Sequence, residues 1–135
     1  LDNIVNKTIK PDVAWCREQG WDYTPIIWPG FSWHNLRDGQ AKFDQIPRQG
    51  GQFMWRQASA ALSGGANMIY VAMFDELDEG TAIFKCSNNP PVGDSPFLRE
   101  PDVPNDHYLW LTGQIGRILR GEIPASSTMP TRSKP

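Results

Sequence analysis

The sequence predicts an α/β fold in which parallel strands are joined by helices. Two apolar runs, residues 23–28 and 68–74, have the length and composition of strands. Between them, residues 53–62 repeat apolar side chains at helical spacing, and a second helical pattern, residues 108–120, follows the later run. Strands that alternate with helices pair in parallel through right-handed crossovers. We therefore expect the two runs to be neighbouring parallel strands of one sheet.

The later run also predicts how deeply its strand is buried. Residues 68–74 are apolar without a break, which is typical of a strand buried on both faces, as in a parallel sheet. The earlier run is less regular, because Pro25 cannot donate a hydrogen bond to a neighbouring strand. Pro29 and Gly30 end it sharply.

A helix is also expected before the first strand. Ile9, Val13 and Cys16 recur at helical spacing, and Pro11 suits a first helical turn. Gly20 is placed to cap the C-terminus. The pattern predicts a helix of about three turns that ends just before this glycine.

Glycines bound the other two helices. The pairs at 50–51 and 64–65 flank the second helix, and Gly121 follows the third. The predicted buried face of the second helix consists of Phe53, Met54, Gln57, Ala58, Ala61 and Leu62. For the third helix, that face includes Leu111, Ile115, Ile118 and Leu119.

Chain length limits how much of a larger architecture these elements can form. A complete (β/α)8 TIM barrel needs about 250 residues, and this chain has 135. Two strands with their helices match the C-terminal portion of such a barrel, residues 1–123. Residues 124–135 are polar and proline-rich, which predicts a flexible tail. Because the sequence starts at Leu1 rather than Met, we expect it to be a processed or excised piece of a larger protein.

Composition argues against two classes of partner. The net charge of −2 provides no basic surface for nucleic acid, and no apolar segment is long enough to span a membrane.

Cys16 and Cys86 could form one disulfide at most, although a buried free thiol suits Cys16 on its apolar helix face. The two cysteines therefore leave the cellular compartment open.

An acidic segment follows the second apolar run directly. Asp75, Glu76, Asp78 and Glu79 lie within five positions, at the end of a strand where parallel α/β folds place their chemistry. Crowded carboxylates allow one group to act as an acid while another stays ionised, which glycoside hydrolysis requires. Residues i and i+3 share a face only on a helical turn, so Glu76 and Glu79 can face one cleft only if the backbone turns after Phe74. A solvated acidic loop and a divalent metal site built from Asp75, Asp78 and Glu79 are the alternatives.

The loop after the first strand carries a second set of candidate binding residues. Phe31 and Trp33 could stack on a sugar ring, or they could anchor the loop to the core. His34 could bond a sugar hydroxyl or a loop carbonyl, and Asn35 is a further polar candidate.

Two motifs resemble a known enzyme family. Residues 74–81, Phe-Asp-Glu-Leu-Asp-Glu-Gly-Thr, are similar to the Trp-Asn-Glu-Trp-His-Glu-Gly-Thr motif of glycoside hydrolase family 99. Residues 29–31, Pro-Gly-Phe, resemble the Pro-Gly-Tyr that follows the preceding strand in that family. Together with residues 28–35, the pattern also looks like bacterial proteins labelled xylosidase/arabinosidase, near families 71 and 99. The resemblance extends over residues 12–121.

The resemblance implies a function and its residues. Family 99 enzymes are endo-acting, retaining α-mannosidases on a (β/α)8 barrel, and their two motif glutamates fall on Glu76 and Glu79. The first is the base for the sugar's 2-hydroxyl, and the second is the general acid and then base. Asp75 and Asp78 become candidate substrate ligands, although Leu77 and Asp78 stand where the family has Trp and His. No cofactor or metal is implied, and a secreted or periplasmic location is favoured.

Two classes of function follow from these observations. The first is a retaining α-glycosidase, or its C-terminal part, that acts on an oligo- or polysaccharide. The second is a non-catalytic carbohydrate-binding or interaction remnant of such a barrel. In both cases the remaining barrel segments, or another copy of the chain, are expected to cover the open sheet.

Overall fold

A computed structural model describes residues 2–91 and 93–132. The helices are α1 (Asp2–Ile4), α2 (Lys10–Gln19), α3 (Gln52–Ser63) and α4 (His107–Leu119), and a π-helical segment, Val5–Ile9, joins α1 to α2. The strands are β1 (Ile26–Ile27) and β2 (Tyr70–Val71), and short 3₁₀ turns occupy Asn35–Arg37 and Gln49–Gly51. Within these residues, no helix is both long and apolar enough to cross a membrane.

The two strands are parallel neighbours, as predicted. Ile26 pairs with Tyr70 and Ile27 with Val71. Hydrogen bonds from Tyr70 N to Pro25 O (3.0 Å) and from Ala72 N to Ile27 O (2.9 Å) continue the ladder beyond the paired residues. Because α3 lies between the strands in sequence, the pair forms a β–α–β unit. Both strands are shorter than the apolar runs, and prolines on either side of β1 remove amide donors there.

The prediction that residues 68–74 are buried on both faces is wrong for this chain. Met68 is 40% exposed, Tyr70 53% and Phe74 59%, while Ile26 on β1 is 59% exposed. An apolar run predicts which residues prefer burial, but only other elements can cover them. In the described residues, the two-stranded sheet packs on one side only, so much apolar strand surface faces solvent.

The first predicted helix corresponds to α2. It has proline in its first turn and ends at Gly20, whose left-handed conformation (φ 70°) provides the predicted cap. Helical structure begins earlier than predicted, because α1 and the π segment precede α2 without a break. The wider π turn lies just before Pro11, where a proline ring would crowd the carbonyl of residue i−4 in a regular α-helix. Cys16 is half-buried, and both cysteines are free thiols.

Helices α3 and α4 pack on the covered side of the sheet and form the main core. Each helix begins and ends within one residue of the limits that the sequence predicts. The fully buried members of α3 include Trp55, which the predicted apolar face omits. The buried core cluster consists of Ile27, Met54, Trp55, Ala58, Ile83, Tyr108, Leu111 and Ile115.

The segment after α4 returns to this core. The indole Nε1 of Trp55 donates to Ser126 O (3.1 Å), and Met129 packs against the core cluster. Arg132 forms an ion pair with Asp106, and this guanidinium holds the pKa of the Asp106 carboxyl below its usual range. Flexibility of residues 124–135 stays a prediction, and positions 133–135 lie outside the described residues.

Replacing Gly51 by alanine should strongly destabilise the fold. Gly51 has φ 92°, and an added Cβ would lie 2.4 Å from Leu111 Cδ1 and 2.9 Å from His107 Nε2. Left-handed strain of about 1–2 kcal/mol and overpacking of about 1–3 kcal/mol should together lower the free energy of unfolding by roughly 2–5 kcal/mol. Denaturant titration of the longest natural polypeptide that contains this chain measures the loss.

Gly20→Ala is the matched control for this substitution. Gly20 is also left-handed (φ 70°), but a Cβ there meets no atom within 4 Å. Only the backbone strain of about 1–2 kcal/mol should therefore appear. Equal losses in the two variants would show that the close approach of Gly51 to α4 contributes nothing.

Candidate active site

The acidic segment after β2 forms a closed turn. Ile83 N donates to Met73 O (3.2 Å) and Phe84 N to Phe74 O (3.0 Å), which closes the base of the loop. At its tip, the Glu76 carbonyl accepts bonds from the amides of Thr81 and Ala82, both at 3.1 Å. The backbone therefore turns after Phe74, which is the condition under which Glu76 and Glu79 could face one cleft. We call residues 75–81 the acidic turn.

Gly80 makes this turn possible. Its amide donates to Leu77 O (3.0 Å), and its φ is 67°. This left-handed conformation favours glycine, and a Cβ at this position would lie 2.3 Å from Leu98 Cδ1, so the Leu98 side chain would have to move. The glycine of the motif thus has a structural role that is independent of catalysis.

The carboxylates of the acidic turn differ in exposure. Asp75, Glu76 and Asp78 are exposed to solvent, whereas Glu79 is half-buried. The Thr81 hydroxyl, itself buried, lies 3.5 Å from Glu79 Oε2 and can donate to it. Glu79 therefore has the more protected environment of the two motif glutamates.

The loop after β1 lies against the acidic turn. Ser32 N donates to the Glu79 carbonyl (2.7 Å), and Asn35 Nδ2 donates to Asp78 Oδ1 (3.3 Å) and to Pro96 O (2.9 Å). Ser32 is 1% exposed, so the first of these contacts is fully enclosed. The structure thus brings together the two loops that follow neighbouring parallel strands.

Two aromatic side chains of the β1 loop form a partly exposed pair. The rings of Phe31 and Trp33 contact each other, with centroids 4.4 Å apart, and Trp33 is 38% exposed. A shallow open depression of about 410 Å³ adjoins Trp33 and is otherwise lined by Arg37, Gln40, Ala41 and Gln45. An aromatic face beside amide and guanidinium donors is chemically suited to a sugar, whose ring has an apolar face and a hydroxyl rim.

His34 makes contacts within its own loop. Its Nδ1 lies 2.8 Å from Ala41 O, and its ring meets Phe43 edge-to-face. Within residues 2–91 and 93–132, no hydrogen bond joins His34 to the acidic turn. The loop-carbonyl alternative is therefore observed, and a sugar contact by His34 stays a prediction, as do the roles of Phe31, Trp33 and Asn35.

The sequence did not indicate the residues that hold the acidic turn from the side of the core. Arg48 donates to the carbonyls of Gly80 (2.9 Å) and Ala82 (2.8 Å), and Glu100 and Tyr108 surround its guanidinium. Arg48 lies in a polar connection and Glu100 in a proline-rich segment, and neither segment has a periodicity that predicts its position. For Ser32 and Thr81, the only sequence signal was that they are small polar residues in or next to the two motifs.

Asp44 is a second charged group that the fold partly encloses. Its Oδ1 is buried and has no partner in the described part of the chain. Burial first, and then the nearby Glu100 carboxylate, raises the pKa of Asp44. Its backbone amide donates to Ser32 Oγ (3.2 Å), so Asp44 helps to hold the serine that contacts the acidic turn.

Metal ligation has no support from side-chain placement. Among the residues that the structure describes, no group of three or more His, Cys, Asp or Glu side chains is positioned to hold an ion. The alternative of a site built from Asp75, Asp78 and Glu79 therefore gains nothing from the geometry.

Comparison with solved structures identifies the fold. Two structures of the GH99 endo-α-mannosidase from Bacteroides thetaiotaomicron, one in complex with bis-tris-propane, match 85% of this chain. The TM-scores are 0.67 for the complex and 0.73 for the other structure, with 22% sequence identity in both. The fold is that of part of a GH99 enzyme. The predicted resemblance to family 99 is thereby confirmed at the level of the fold.

The match covers only part of the larger proteins. The chain spans about a third of their length, 35% and 33% respectively. No protein family model and no curated relative matches the chain. The match therefore shows the fold, and the activity, substrate and partners of this chain are proposals.

Proposed function

We propose that this chain is the C-terminal part of the catalytic (β/α)8 barrel of a retaining α-glycosidase. One observation carries the proposal: in a GH99-like fold, the turn that bears Glu76 and Glu79 follows a parallel strand and contacts the aromatic loop of the neighbouring strand. This is the end of a barrel where catalytic residues lie. The similarity to an endo-α-mannosidase favours an α-mannoside in an oligo- or polysaccharide as the substrate.

Glu76 and Glu79 have complementary roles in the proposed reaction. The Glu76 carboxylate accepts the proton of the sugar's 2-hydroxyl, and O2 attacks C1 while the C1 bond to the leaving oxygen breaks. Glu79 donates a proton to that oxygen, which leaves as an alcohol, and a 1,2-anhydro sugar remains. Glu79 then accepts a proton from water, the water oxygen attacks C1, and Glu76 returns its proton to O2 as the C1–O2 bond opens. Two inversions at C1 give net retention.

The environments of the two glutamates suit this division of work. The half-buried Glu79 is the better shielded of the two groups, which suits it to pass its proton to the leaving oxygen rather than to bulk water. Glu76 is exposed and lies where a sugar could approach it from solvent. Asp75 and Asp78 are proposed ligands for sugar hydroxyls, and Trp33 with Phe31 supplies a stacking surface.

Further segments of the barrel would complete the cleft. Apolar side chains of α1, of the two strands and of the segment after β2 are more than half exposed, namely Ile4, Ile26, Tyr70 and Phe74. An open parallel pair with such side chains is unstable alone. We infer that other barrel strands, or another copy of the chain, cover this side.

Stereochemistry tests the proposal most directly. The longest natural polypeptide that contains this chain should hydrolyse an α-manno-oligosaccharide, and proton NMR should first detect a product of α configuration. A β product would contradict the proposed two-step route. Binding of the oligosaccharide in calorimetry without hydrolysis would favour the second candidate, a carbohydrate-binding remnant. The observation that favours this candidate is the departure from the family motif at Leu77 and Asp78.

A further inference from the structure

Arg48 is joined to the acidic turn by one edge of its guanidinium. Nε donates to the Gly80 carbonyl at 2.9 Å and Nη2 to the Ala82 carbonyl at 2.8 Å. These carbonyls lie in the chain that returns from the turn, directly after Glu79. Two charge-assisted bonds from a rigid, planar group fix both the distance and the direction of this backbone.

Other contacts hold the guanidinium itself in place. Its central carbon lies 4.5 Å from the centre of the Tyr108 ring, and Nη1 lies 3.9 Å from Glu100 Oε2. The Tyr108 hydroxyl donates to the same carboxylate oxygen, and Glu100 Oε1 accepts a bond from Gly50 N at 3.0 Å. The Arg48 side chain is only 12% exposed, so these contacts are little weakened by solvent.

The network connects the turn to the rigid core. Tyr108 is a buried residue of α4 and a member of the core cluster. Burial, reinforced by Glu100, raises the pKa of Tyr108 far above its ordinary value, so the hydroxyl remains a donor at any physiological pH. Arg48 therefore links Gly80 and Ala82 to α4, in addition to the contacts that Ser32 and Asn35 of the β1 loop make with the acidic turn.

We propose that Arg48 is a positioning residue that sets the placement of Glu76 and Glu79 by holding the carbonyls of Gly80 and Ala82. The inference rests on the proposed function for its catalytic consequence, although the effect on the turn does not. Arg48 acts through the backbone of the turn, and its mostly buried guanidinium is held by groups of the protein itself. Lysine cannot replace it, because one ammonium group lacks the fixed pair of donors.

Hydrogen exchange gives a readout that does not depend on activity. In Arg48→Lys of the longest natural polypeptide, the amides of Thr81 and Ala82, which bond the Glu76 carbonyl, should exchange at least about tenfold faster. Amides of α4 should keep their protection. Arg56→Lys is the matched control, because Arg56 is exposed and bonds only the Gln49 side chain in the described structure.

Kinetics give the second readout. On an aryl α-mannoside, Arg48→Lys should lower kcat by up to about 10²-fold, as expected for misplaced catalytic groups, while KM changes little. Tyr108→Phe, which keeps the ring but removes the hydroxyl, should shift both readouts in the same direction by less. This milder variant keeps the test decisive where Arg48→Lys folds poorly.

The outcomes separate this inference from the proposed function. Unchanged exchange at Thr81 and Ala82 in both variants would overturn the positioning role. Equal acceleration throughout α4 would overturn it too, since Arg48 would then stabilise the whole fold. Faster exchange with unchanged kcat would remove the catalytic consequence. A wild-type protein without hydrolase activity would refute the glycosidase proposal, while exchange would still decide whether Arg48 holds the turn.

Discussion

Glu79→Gln should lower turnover of an unactivated α-glycoside by about 10²–10⁴-fold, because a poor leaving group needs a proton from this residue. An activated aryl glycoside should lose less in its first step, since its leaving group departs without protonation. The half-buried carboxylate lies in the acidic turn beside Thr81, so the amide replaces it with little change of shape. Steady-state rates on both substrates measure the difference.

Glu76→Gln should have a different signature. Attack by the 2-hydroxyl requires a base whatever group leaves, so the rate on both substrates should fall by about 10²–10⁴-fold. Glu18→Gln, at an exposed position on α2 remote from the turn in sequence, is the matched control and should keep wild-type rates. Near wild-type turnover by either site variant on the unactivated substrate would remove that glutamate from the mechanism and favour the binding remnant.

Leu111→Ala should lower the free energy of unfolding by about 2–5 kcal/mol, because truncation leaves a cavity in a close-packed core. Leu111 is 0% exposed and belongs to the cluster that joins α3, α4 and β1. Leu109→Ala is the control on the same helix, since Leu109 is 43% exposed and its truncation leaves no enclosed cavity. That variant should stay within about 0.5 kcal/mol of wild type.

Denaturant titration of the longest natural polypeptide compares the two leucine variants. A loss at Leu111 no larger than that at Leu109 would contradict the assignment of the main core to the α3–α4 contact. Tyr108 belongs to the same cluster and contacts Arg48. Leu111→Ala should therefore also weaken the contacts around the Arg48 guanidinium.

Much of the fold could be predicted because its rules are local. Glycines at positions 20, 51 and 64 mark helix limits, since a cap depends on a few consecutive residues. The parallel pairing of β1 with β2 follows from two apolar runs separated by a helix. The turn after Phe74 was expected as the condition for Glu76 and Glu79 to face one cleft, with Gly80 to supply the flexibility.

Other features were beyond local rules. The exposed fractions of Tyr70 and Phe74 depend on which elements pack against the sheet, and an apolar run cannot specify its partners. Trp55 was left out of the predicted buried face because a helical pattern predicts a face only approximately, whereas the bond from its indole to Ser126 is a tertiary contact.

The sequence by itself determined the order of helices and parallel strands, the acidic turn and its two glutamates, and the resemblance that points to a glycosidase. Only the tertiary structure decided what holds that turn. Ser32 reaches the Glu79 carbonyl, and Arg48 reaches the Gly80 and Ala82 carbonyls across more than 30 residues of sequence. Each contact ends at a backbone carbonyl, a group that every residue carries, so the sequence pattern does not show which carbonyl is the partner. Their partners are defined only when the packing of α4 places Tyr108 and Glu100 around the guanidinium.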